Sequence, residues 1–284
     1  MNLFGLAKFA NELRARSRAV AMLSRGALAF VAATTVSCGR RVLTSHLRGA
    51  GARAAASGFP RPRSYSDDER LLPSVPHVEI DRKDLKENLL VIGDVHGCFD
   101  ELQALLNQYG FPERAEDTTV IYVGDLVNKG PKSAEVVKFV RTSGALCVRG
   151  NHDNAALALA IGIRDPYKGS DWVNSLSDED IQFLQELPYS LTIRGMNLII
   201  VHAGLVPGVP LAEQKLKNLF KMRNVVEKDA DGDRDSEVPA YVALEKPTDG
   251  EPWAKVWKGP EHVVFGHDAK RKLQDKWCGA VAVR

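Results

Sequence analysis

The chain has 284 residues, of which 44% are hydrophobic and 26% are charged, and its formal net charge is +2. These values are ordinary for a globular protein and allow one sizeable domain with an appendage. No apolar stretch approaches the ~20 residues that a membrane span requires. No pair among the four cysteines has CxxC spacing, which argues against a disulfide framework and favours a reducing compartment.

Charge is distributed unevenly along the chain. Residues 1–65 contain ten arginines, Lys8 and one acid, Glu12, so the remaining 219 residues carry 27 basic and 35 acidic side chains, a net charge of −8. An arginine-rich leader that is nearly free of acids is typical of an organellar transit peptide. It indicates a targeting signal more than a nucleic-acid-binding surface. Three arginines fall on one side of a helix drawn through the leader: Arg14, Arg18 and Arg25.

These features predict three segments. We expect residues 1–65 to be a disordered transit peptide that directs the chain to the mitochondrion, with a plastid or cytoplasmic location as the alternative. Prolines mark residues 66–77 as a linker. Residues 78–284 then form the folded domain.

Apolar runs alternate with helical patterns from residue 88 onward. A strand over 88–92 precedes a helix that Asp100 is expected to cap. A strand over 120–123 precedes a helix between Ser133 and Gly144, and a third strand covers 146–148. This alternation predicts a largely parallel sheet with right-handed crossovers.

Later strands are predicted over 198–201 and 263–265, after a helix that begins at a Ser177–Asp180 capping box. Because no helix of comparable length separates these later strands, we expect a second or mixed sheet. The fold class is therefore α/β (α+β), with helices flanking the sheets.

Five apolar runs each end at a glycine or histidine beside a polar side chain. The resulting motifs are GDVHG at 93–97, GDLVNKG at 124–130, GNHD at 150–153, HAG at 202–204 and GH at 266–267. The carboxyl ends of strands in open α/β sheets share one edge, where ligands bind. We therefore expect six side chains to converge: Asp94, His96, Asp125, Asn151, His202 and His267.

Carboxylates, imidazoles and an amide oxygen suit borderline divalent ions such as Mn, Fe, Zn, Co or Ni. We predict two such ions with Asp125 as the shared, bridging ligand. Two ions can polarise a phosphoryl group and lower the pKa of a bridging water, so that hydroxide attacks phosphorus in line. Asp94 and His96 would complete one site, and the second would be completed by Asn151, His202 and His267.

A leaving oxygen needs a proton, and His152 is the predicted donor. Charge that develops on the phosphoryl oxygens needs cations, for which the candidates are Lys129, Arg149 and Arg223. Arg149 could instead pair with a carboxylate, and Arg223 could form a surface salt bridge. Tyr167 and Trp172 follow the GNHD motif and could either stack on a nucleobase or pack in the core.

In this order the five motifs resemble the phosphoprotein-phosphatase branch of the calcineurin-like metallophosphoesterases. Within that branch, GDLVNKGP at 124–131, HAGLVPG at 202–208, the Met222-Arg223 pair and FGHDAKRKLQ at 265–274 resemble the ApaH-like phosphatases. The resemblance covers about residues 86–274. It implies the metallophosphoesterase fold, a mixed β-sandwich flanked by helices with a dinuclear site at the strand carboxyl ends. It also implies the six ligands named above, His152 as proton donor and Arg223 as a phosphate ligand. Because members of the family continue past the GH motif and this chain ends 17 residues after His267, the resemblance implies a catalytic domain over 78–284 that is truncated at its C-terminus.

Two positions depart from the pattern of protein Ser/Thr phosphatases. Their motif places an acid, which orients the catalytic histidine, where this chain has Asn128. An amide can accept a hydrogen bond from imidazole but adds no charge, which argues against a protein phosphatase and fits the ApaH-like branch. Lys129 stands where many relatives have arginine, and it offers a point charge without a bidentate fork.

These observations predict a metal-dependent phosphoesterase or pyrophosphohydrolase that acts on dinucleoside polyphosphates or capped 5′ ends. A polyphosphatase, a Ser/Thr protein phosphatase and a catalytically inactive binding module are the alternatives. The expected partner is thus a phosphorylated small molecule or a 5′-capped substrate. We expect neither sequence-specific nucleic-acid binding nor membrane association.

Overall fold

The computed structural model describes residues 21–24, 27–29, 68–227, 241–271 and 280–282. Its strands are β1 (Ala21–Ser24), β2 (Ala27–Ala29), β3 (His77–Asp81), β4 (Asn88–Ile92), β5 (Thr118–Tyr122), β6 (Leu146–Cys147), β7 (Ser190–Arg194), β8 (Leu198–Val201), β9 (Asn224–Glu227), β10 (Tyr241–Leu244), β11 (Glu251–Pro252), β12 (His262–Phe265) and β13 (Ala280–Ala282). Its α-helices are α1 (Phe99–Gln108), α2 (Ser133–Ser143), α3 (Asn151–Ala160), α4 (Asp178–Glu186), α5 (Leu216–Lys221) and α6 (Trp253–Val256).

The first sheet has the order β2-β1-β4-β5-β6. Strands β4, β5 and β6 are parallel, with Asn88 opposite Thr118 and Ile121 opposite Leu146. Helices α1 and α2 connect these strands, as parallel neighbours require. The predicted parallel sheet near the start of the domain is therefore confirmed.

The second sheet has the order β13-β12-β8-β7-β3 and mixes both strand directions. Strands β8, β12 and β13 run parallel, whereas β7 is antiparallel to β8 and parallel to β3. A small antiparallel sheet, β10-β9-β11, lies outside these two. The expectation of a second, mixed sheet is also confirmed.

Alternating side chains explain how the two large sheets pack. Leu89 and Val91 of β4 share one buried cluster with Leu191 and Ile193 of β7, so the inner faces of both sheets form a common core. Leu90, one position along β4, instead packs against the side chains of helices α1 to α4. This period of two is what a strand buried on both faces requires. The result is a β-sandwich with helices on its outer faces, as predicted.

Helix boundaries agree with the sequence signals in part. Gly144 ends α2 with a φ of +70°, and Ser177 forms a capping box with Asp180 at the start of α4. The predicted cap at Asp100 is wrong, because the cap position of α1 is Cys98 and the Asp100 carboxylate accepts instead from Lys132 Nζ at 2.6 Å. Within the described ranges, none of the helices is long and apolar enough to cross a bilayer.

Parts of the predicted leader and linker belong to the folded structure. Strand β1 pairs antiparallel with β4, so seven residues of the segment expected to be disordered extend the first sheet. Leu71, in the predicted linker, is buried in the core between the first sheet and helices α1 to α4, which we call the helix-side core. The folded part of the chain therefore begins before residue 78. The rest of residues 1–65 lies outside the described residues, and its targeting role stays a prediction.

Candidate metal centre

Asp125 lies at the centre of the convergent edge. Its Oδ2 is 3.5 Å from His96 Nε2, and its Oδ1 is 3.3 Å from His202 Nε2. The two carboxylate oxygens therefore face two different imidazoles. In the described part of the chain, two groups of side chains could each hold a cation, and Asp125 belongs to both: His96 with Asp125 and His152, and Asp125 with His202 and His267.

The other predicted ligands surround these two groups. Asp94 Oδ2 is 3.8 Å from His96 Nε2, and Asp94 Oδ1 accepts from the backbone N–H of His267 at 3.1 Å. Asn151 Oδ1 is 3.2 Å from His202 Nε2. All six predicted ligands thus converge at the carboxyl ends of β4, β5, β6, β8 and β12. The edge-sharing argument made from the sequence is correct.

Backbone carbonyls fix which nitrogen of each histidine points into the centre. His96 Nδ1 lies 3.0 Å from the Val127 carbonyl, and His202 Nδ1 lies 2.8 Å from the Val123 carbonyl. A carbonyl can only accept, so each Nδ1 carries a hydrogen, and Nε2 is the nitrogen directed at the centre. Orientation of a ligand histidine by such a hydrogen bond is the usual support of a metal centre.

The loops that carry the ligands have strained or crowded backbones. A Cβ at Gly150 would collide with the Asp125 backbone and carboxylate, and one at Gly266 would collide with Asp94 Oδ1. Only glycine allows these close approaches. Left-handed conformations of non-glycine residues cost energy and cluster at functional sites. The residues with positive φ here are His96, Asp125, Asn128, Lys129 and His267.

Asp153 holds two of these loops together, a role that the sequence reading did not assign. Its carboxylate accepts from the backbone N–H groups of Asp125 at 2.8 Å, Leu126 at 2.9 Å and Gly150 at 2.9 Å. Asp153 is the third residue of α3 and is fully buried. An acid at the third position of a helix that follows a glycine is a recognisable capping signal, and it could have been read from the GNHD motif.

The electrostatics of the centre favour a bound cation. Burial opposes a charged imidazole, yet the carboxylates of Asp125 and Asp94 raise the pKa of His202 to about 9. Although burial acts to raise it, the nearby imidazoles hold the pKa of Asp125 well below its ordinary value. His202 therefore carries the positive charge that the buried carboxylates demand. A divalent cation would replace that proton.

The imidazole of His267 provides a second indication that the centre can hold a metal ion. Its Nε2 is buried and has no hydrogen-bond partner among the described residues. Burial lowers the pKa of His267 well below its ordinary value, so the ring is neutral and Nε2 has a free lone pair if Nδ1 carries the hydrogen. A buried acceptor without a partner is costly unless something occupies it. The oxygen and nitrogen donors of this centre therefore fit divalent metal ions.

The remaining predicted residues near the centre differ in their contacts. Lys129 Nζ hydrogen-bonds to His96 Nε2, so the ammonium group reaches the ligands themselves. Asn128 Nδ2 is 3.2 Å from His152 Nδ1, so the amide contacts the imidazole through its NH₂ group and not through its oxygen; its orienting role stays a prediction. Arg223 donates to the Glu245 carbonyl at 3.1 Å, and its charge contributes to lowering the pKa of His267. The phosphate-binding roles of Lys129 and Arg223 stay predictions.

The predicted phosphate-binding role of Arg149 is wrong. Its side chain is fully buried and points into the helix-side core. The guanidinium donates to the carbonyls of Leu71 and Gln185, and to Tyr189 Oη at 3.2 Å. No substrate can reach a group so enclosed. The alternative of a carboxylate partner is also wrong, because the acceptors are carbonyls, a hydroxyl and the Asn154 amide.

Arg149→Met is expected to lower the free energy of unfolding by about 3 kcal/mol or more, because the buried carbonyl of Leu71 and the partly buried carbonyl of Gln185 lose their donor. Urea titration followed by circular dichroism measures this change. Arg194→Met is the matched control, since Arg194 pairs with Asp81 at the exposed surface, where such pairs contribute less than about 1 kcal/mol. Equal stability losses in the two variants would contradict the structural role of Arg149.

The two aromatic residues after the GNHD motif have different environments. Trp172 packs against the helix-side core, as the core-packing alternative predicted. Tyr167 is 39% exposed, and its hydroxyl donates to Asn128 Oδ1 at 3.2 Å. Tyr167 therefore belongs to the rim of the centre, and this contact between distant segments could not be read from the sequence.

A β-sandwich with two groups of histidine and carboxylate ligands along one edge defines the class of the metallophosphoesterases. The chain belongs to the calcineurin-like phosphoesterase family: residues 88–277, about two thirds of its length, match the family model. The resemblance inferred from the motifs is confirmed.

The relatives include symmetrical bis(5′-nucleosyl)-tetraphosphatases. That of Nitrosococcus oceani is 39% identical over 125 residues, which is 42% of this chain and 44% of the relative. That of Psychromonas ingrahamii is 41% identical over 124 residues, 41% of this chain and 44% of the relative. The match thus spans less than half the length of these relatives. A crystal structure assigned to a diadenosine tetraphosphatase has a TM-score of 0.63 and 34% identity, and covers 73% of this chain and 86% of its own.

Proposed function

We propose that the chain is a hydrolase of phosphate anhydrides or esters that uses two divalent ions. The observation that carries the proposal is the position of Asp125, whose two oxygens face the imidazoles of two separate ligand groups. A shared carboxylate is what a pair of ions requires. Nitrogen and oxygen donors suit Mn, Fe, Zn, Co or Ni. Such ions, when bound, polarise a phosphoryl group and make a water molecule acidic enough to act as the nucleophile.

The side chains around this pair have distinct proposed tasks. Lys129 is the proposed ligand of the phosphoryl oxygens, which is supported by the contact of its ammonium group with His96 Nε2. His152 is the proposed donor of a proton to the leaving oxygen. Burial lowers the pKa of His152 to about 4 in the free protein. A bound phosphate, with its negative charge, raises the pKa of a neighbouring imidazole, and so brings the proton with the substrate.

The proposed substrates are dinucleoside polyphosphates or related capped 5′ ends. The support is the similarity to the symmetrical tetraphosphatases, together with Asn128 at the position where protein Ser/Thr phosphatases carry an acid. Water attacking a dinucleoside tetraphosphate at its middle yields two nucleoside diphosphates. The alternative activities, those of a polyphosphatase and of a protein phosphatase, would release inorganic phosphate and not nucleoside diphosphates.

A product profile tests the proposal. The full chain, loaded with Mn²⁺ or Co²⁺, is offered diadenosine tetraphosphate, capped RNA, polyphosphate and a phosphopeptide, and products are separated by ion-exchange chromatography. We expect ADP to be the main product from diadenosine tetraphosphate, at a rate well above that of phosphate release from the phosphopeptide. A preference for the phosphopeptide would contradict the proposed substrate. Failure to hydrolyse any of the four would contradict the proposed activity.

A further inference from the structure

Arg223, the predicted phosphate ligand, does not lie on the sheets that carry the candidate metal ligands. It directly precedes β9, the middle strand of the small sheet β10-β9-β11, whereas the candidate ligands follow strands of the two large sheets. A group that binds substrate can assist a metal centre only if the spacing between the two is held closely. The small sheet must therefore be tied to the edge that carries the ligands.

The Arg271 guanidinium makes this connection. Its Nη1 donates to Asp268 Oδ2 at 2.6 Å, and its Nη2 donates to Asn224 Oδ1 at 2.6 Å. Asp268 directly follows His267 in the chain, and Asn224 directly follows Arg223. A further hydrogen bond, from Nη1 to the Arg223 carbonyl, has a length of 3.4 Å. One planar group therefore joins the neighbour of a candidate metal ligand to the predicted phosphate ligand and its neighbour.

Both side chains that accept from Arg271 are themselves held in place. Asn224 is buried, and its amide NH₂ group donates to the carbonyls of Asp249 and Gly250. Because a carbonyl can only accept, the NH₂ group must face these carbonyls, and Oδ1 is left to face Arg271. The side chains of Asp268 and Arg271 are only 7% and 22% exposed, so their ion pair is largely shielded from water. A charge-assisted hydrogen bond in such a place is stronger than that of an exposed pair.

Arginine suits this position because its guanidinium presents donors to two acceptors in fixed directions, which the point charge of a lysine does not. The hydrogen bonds of Arg271 to described residues all go to acceptors outside the two ligand groups. Arg271 can therefore act on the centre only through its neighbours. We infer that Arg271 is a positioning residue that fixes Arg223 relative to His267.

The electrostatics agree that Arg223 lies near this ligand. Burial is the main cause of the lowered pKa of His267, and the charge of Arg223 lowers it further. The kinetic effect of Arg271 rests on the proposed function, because it requires Arg223 to bind phosphoryl oxygens that gain charge during the reaction. Loss of one charge-assisted hydrogen bond corresponds to a factor of about 10 to 100 in an equilibrium constant. Part of this factor is expected to appear in kcat/KM when Arg223 is displaced.

Arg271→Met is the central variant, because it keeps an unbranched aliphatic chain and removes the guanidinium. We expect kcat/KM for diadenosine tetraphosphate to fall about 10-fold. In an Arg223→Met background, where the side chain to be positioned is gone, the same change is expected to alter kcat/KM by less than about twofold. Equal losses in the two backgrounds would overturn the inference. Arg114→Met is the control and is expected to keep full kcat/KM, since Arg114 pairs with Asp117, three residues away, at the surface.

A second variant guards against a loss of folding. Circular dichroism establishes whether Arg271→Met is folded. Arg271→Lys keeps a positive charge beside Asp268 but lacks the fork that also reaches Asn224, and we expect it to lower kcat/KM by at least threefold. Wild-type kcat/KM in both folded variants would overturn the inference.

A measurement on the metal-free chain separates this inference from the proposed function. ¹H–¹⁵N spectra of protein labelled at arginine report on guanidinium groups, and Arg223→Met assigns the signal of Arg223. We expect one sharp Arg223 signal in the wild type, where the group donates to the Glu245 carbonyl, and a shifted and broadened signal in Arg271→Met. An unchanged Arg223 signal would overturn the inference even if the enzyme is active. A changed signal would support it even if no tested substrate is hydrolysed, and only the proposed function would then fail.

Discussion

Asp125→Asn is expected to release both metal ions and to lower kcat/KM by more than about 100-fold. Loss of a partner that only supports a metal ligand already costs about 10- to 100-fold, and Asp125 is itself the proposed shared ligand. The physical reason is the loss of one negative charge and one of two equivalent oxygens between His96 and His202. Metal content by mass spectrometry and the rate of ADP release measure the two effects separately.

The control for this prediction is Asp100→Asn. Asp100 is exposed and pairs with Lys132, and its substitution removes the same charge from a place outside the centre. We expect this variant to keep its metal and its rate. Circular dichroism establishes that Asp125→Asn is folded, and Asp125→Glu retains the charge while displacing the oxygens. A folded Asp125→Asn protein with full metal content and rate would refute the shared-ligand role.

The convergence of the candidate ligands could be predicted because their positions follow from local patterns. Each of them lies directly after an apolar run, and in this sandwich the relevant strand ends meet at one edge. Asp94 and His96 follow β4, and His202 and His267 follow β8 and β12. No knowledge of distant contacts was needed beyond the topology that strand–helix alternation implies.

Side-chain direction, in contrast, could not be predicted from adjacency. Arg149 stands beside Gly150 in a ligand motif, yet its guanidinium points away from the centre to carbonyls at Leu71 and Gln185, 78 and 36 residues away. Asp100 opens a helical pattern, but its carboxylate pairs with Lys132, 32 residues later. Both predictions were wrong because the side chain binds a partner distant in sequence, and not the nearby group that the local sequence suggested.

The same limit applies to the groups that orient the ligands. The carbonyls of Val123 and Val127 orient the rings of His202 and His96, and no side-chain pattern marks a carbonyl for this task. The role of Asp153 could have been predicted from the sequence, because an acid at the third position of a helix is a capping signal. The contact between Tyr167 and Asn128 could not, since it joins segments 39 residues apart.

His152→Ala is expected to retain its metal ions and to lower kcat by roughly 10²–10⁴, the range for loss of a general acid. His152 lies in one ligand group with His96 and Asp125, so the structure also offers it as a metal ligand. Its backbone N–H donates to Asp125 Oδ1 at 2.8 Å, a contact that alanine keeps. Metal content therefore distinguishes a ligand from a proton donor without disturbing Asp125.

The leaving group provides a second, independent measure. p-Nitrophenolate spreads its negative charge over the ring and nitro group and needs little help from a proton donor, whereas an alkyl oxygen needs much more. If His152 donates the proton, the loss in His152→Ala is smaller with p-nitrophenyl phosphate than with an alkyl phosphate ester that the wild-type protein also hydrolyses. Equal losses with both substrates, together with a lost metal ion, would assign His152 to the metal. Full rate with both substrates would remove His152 from the mechanism.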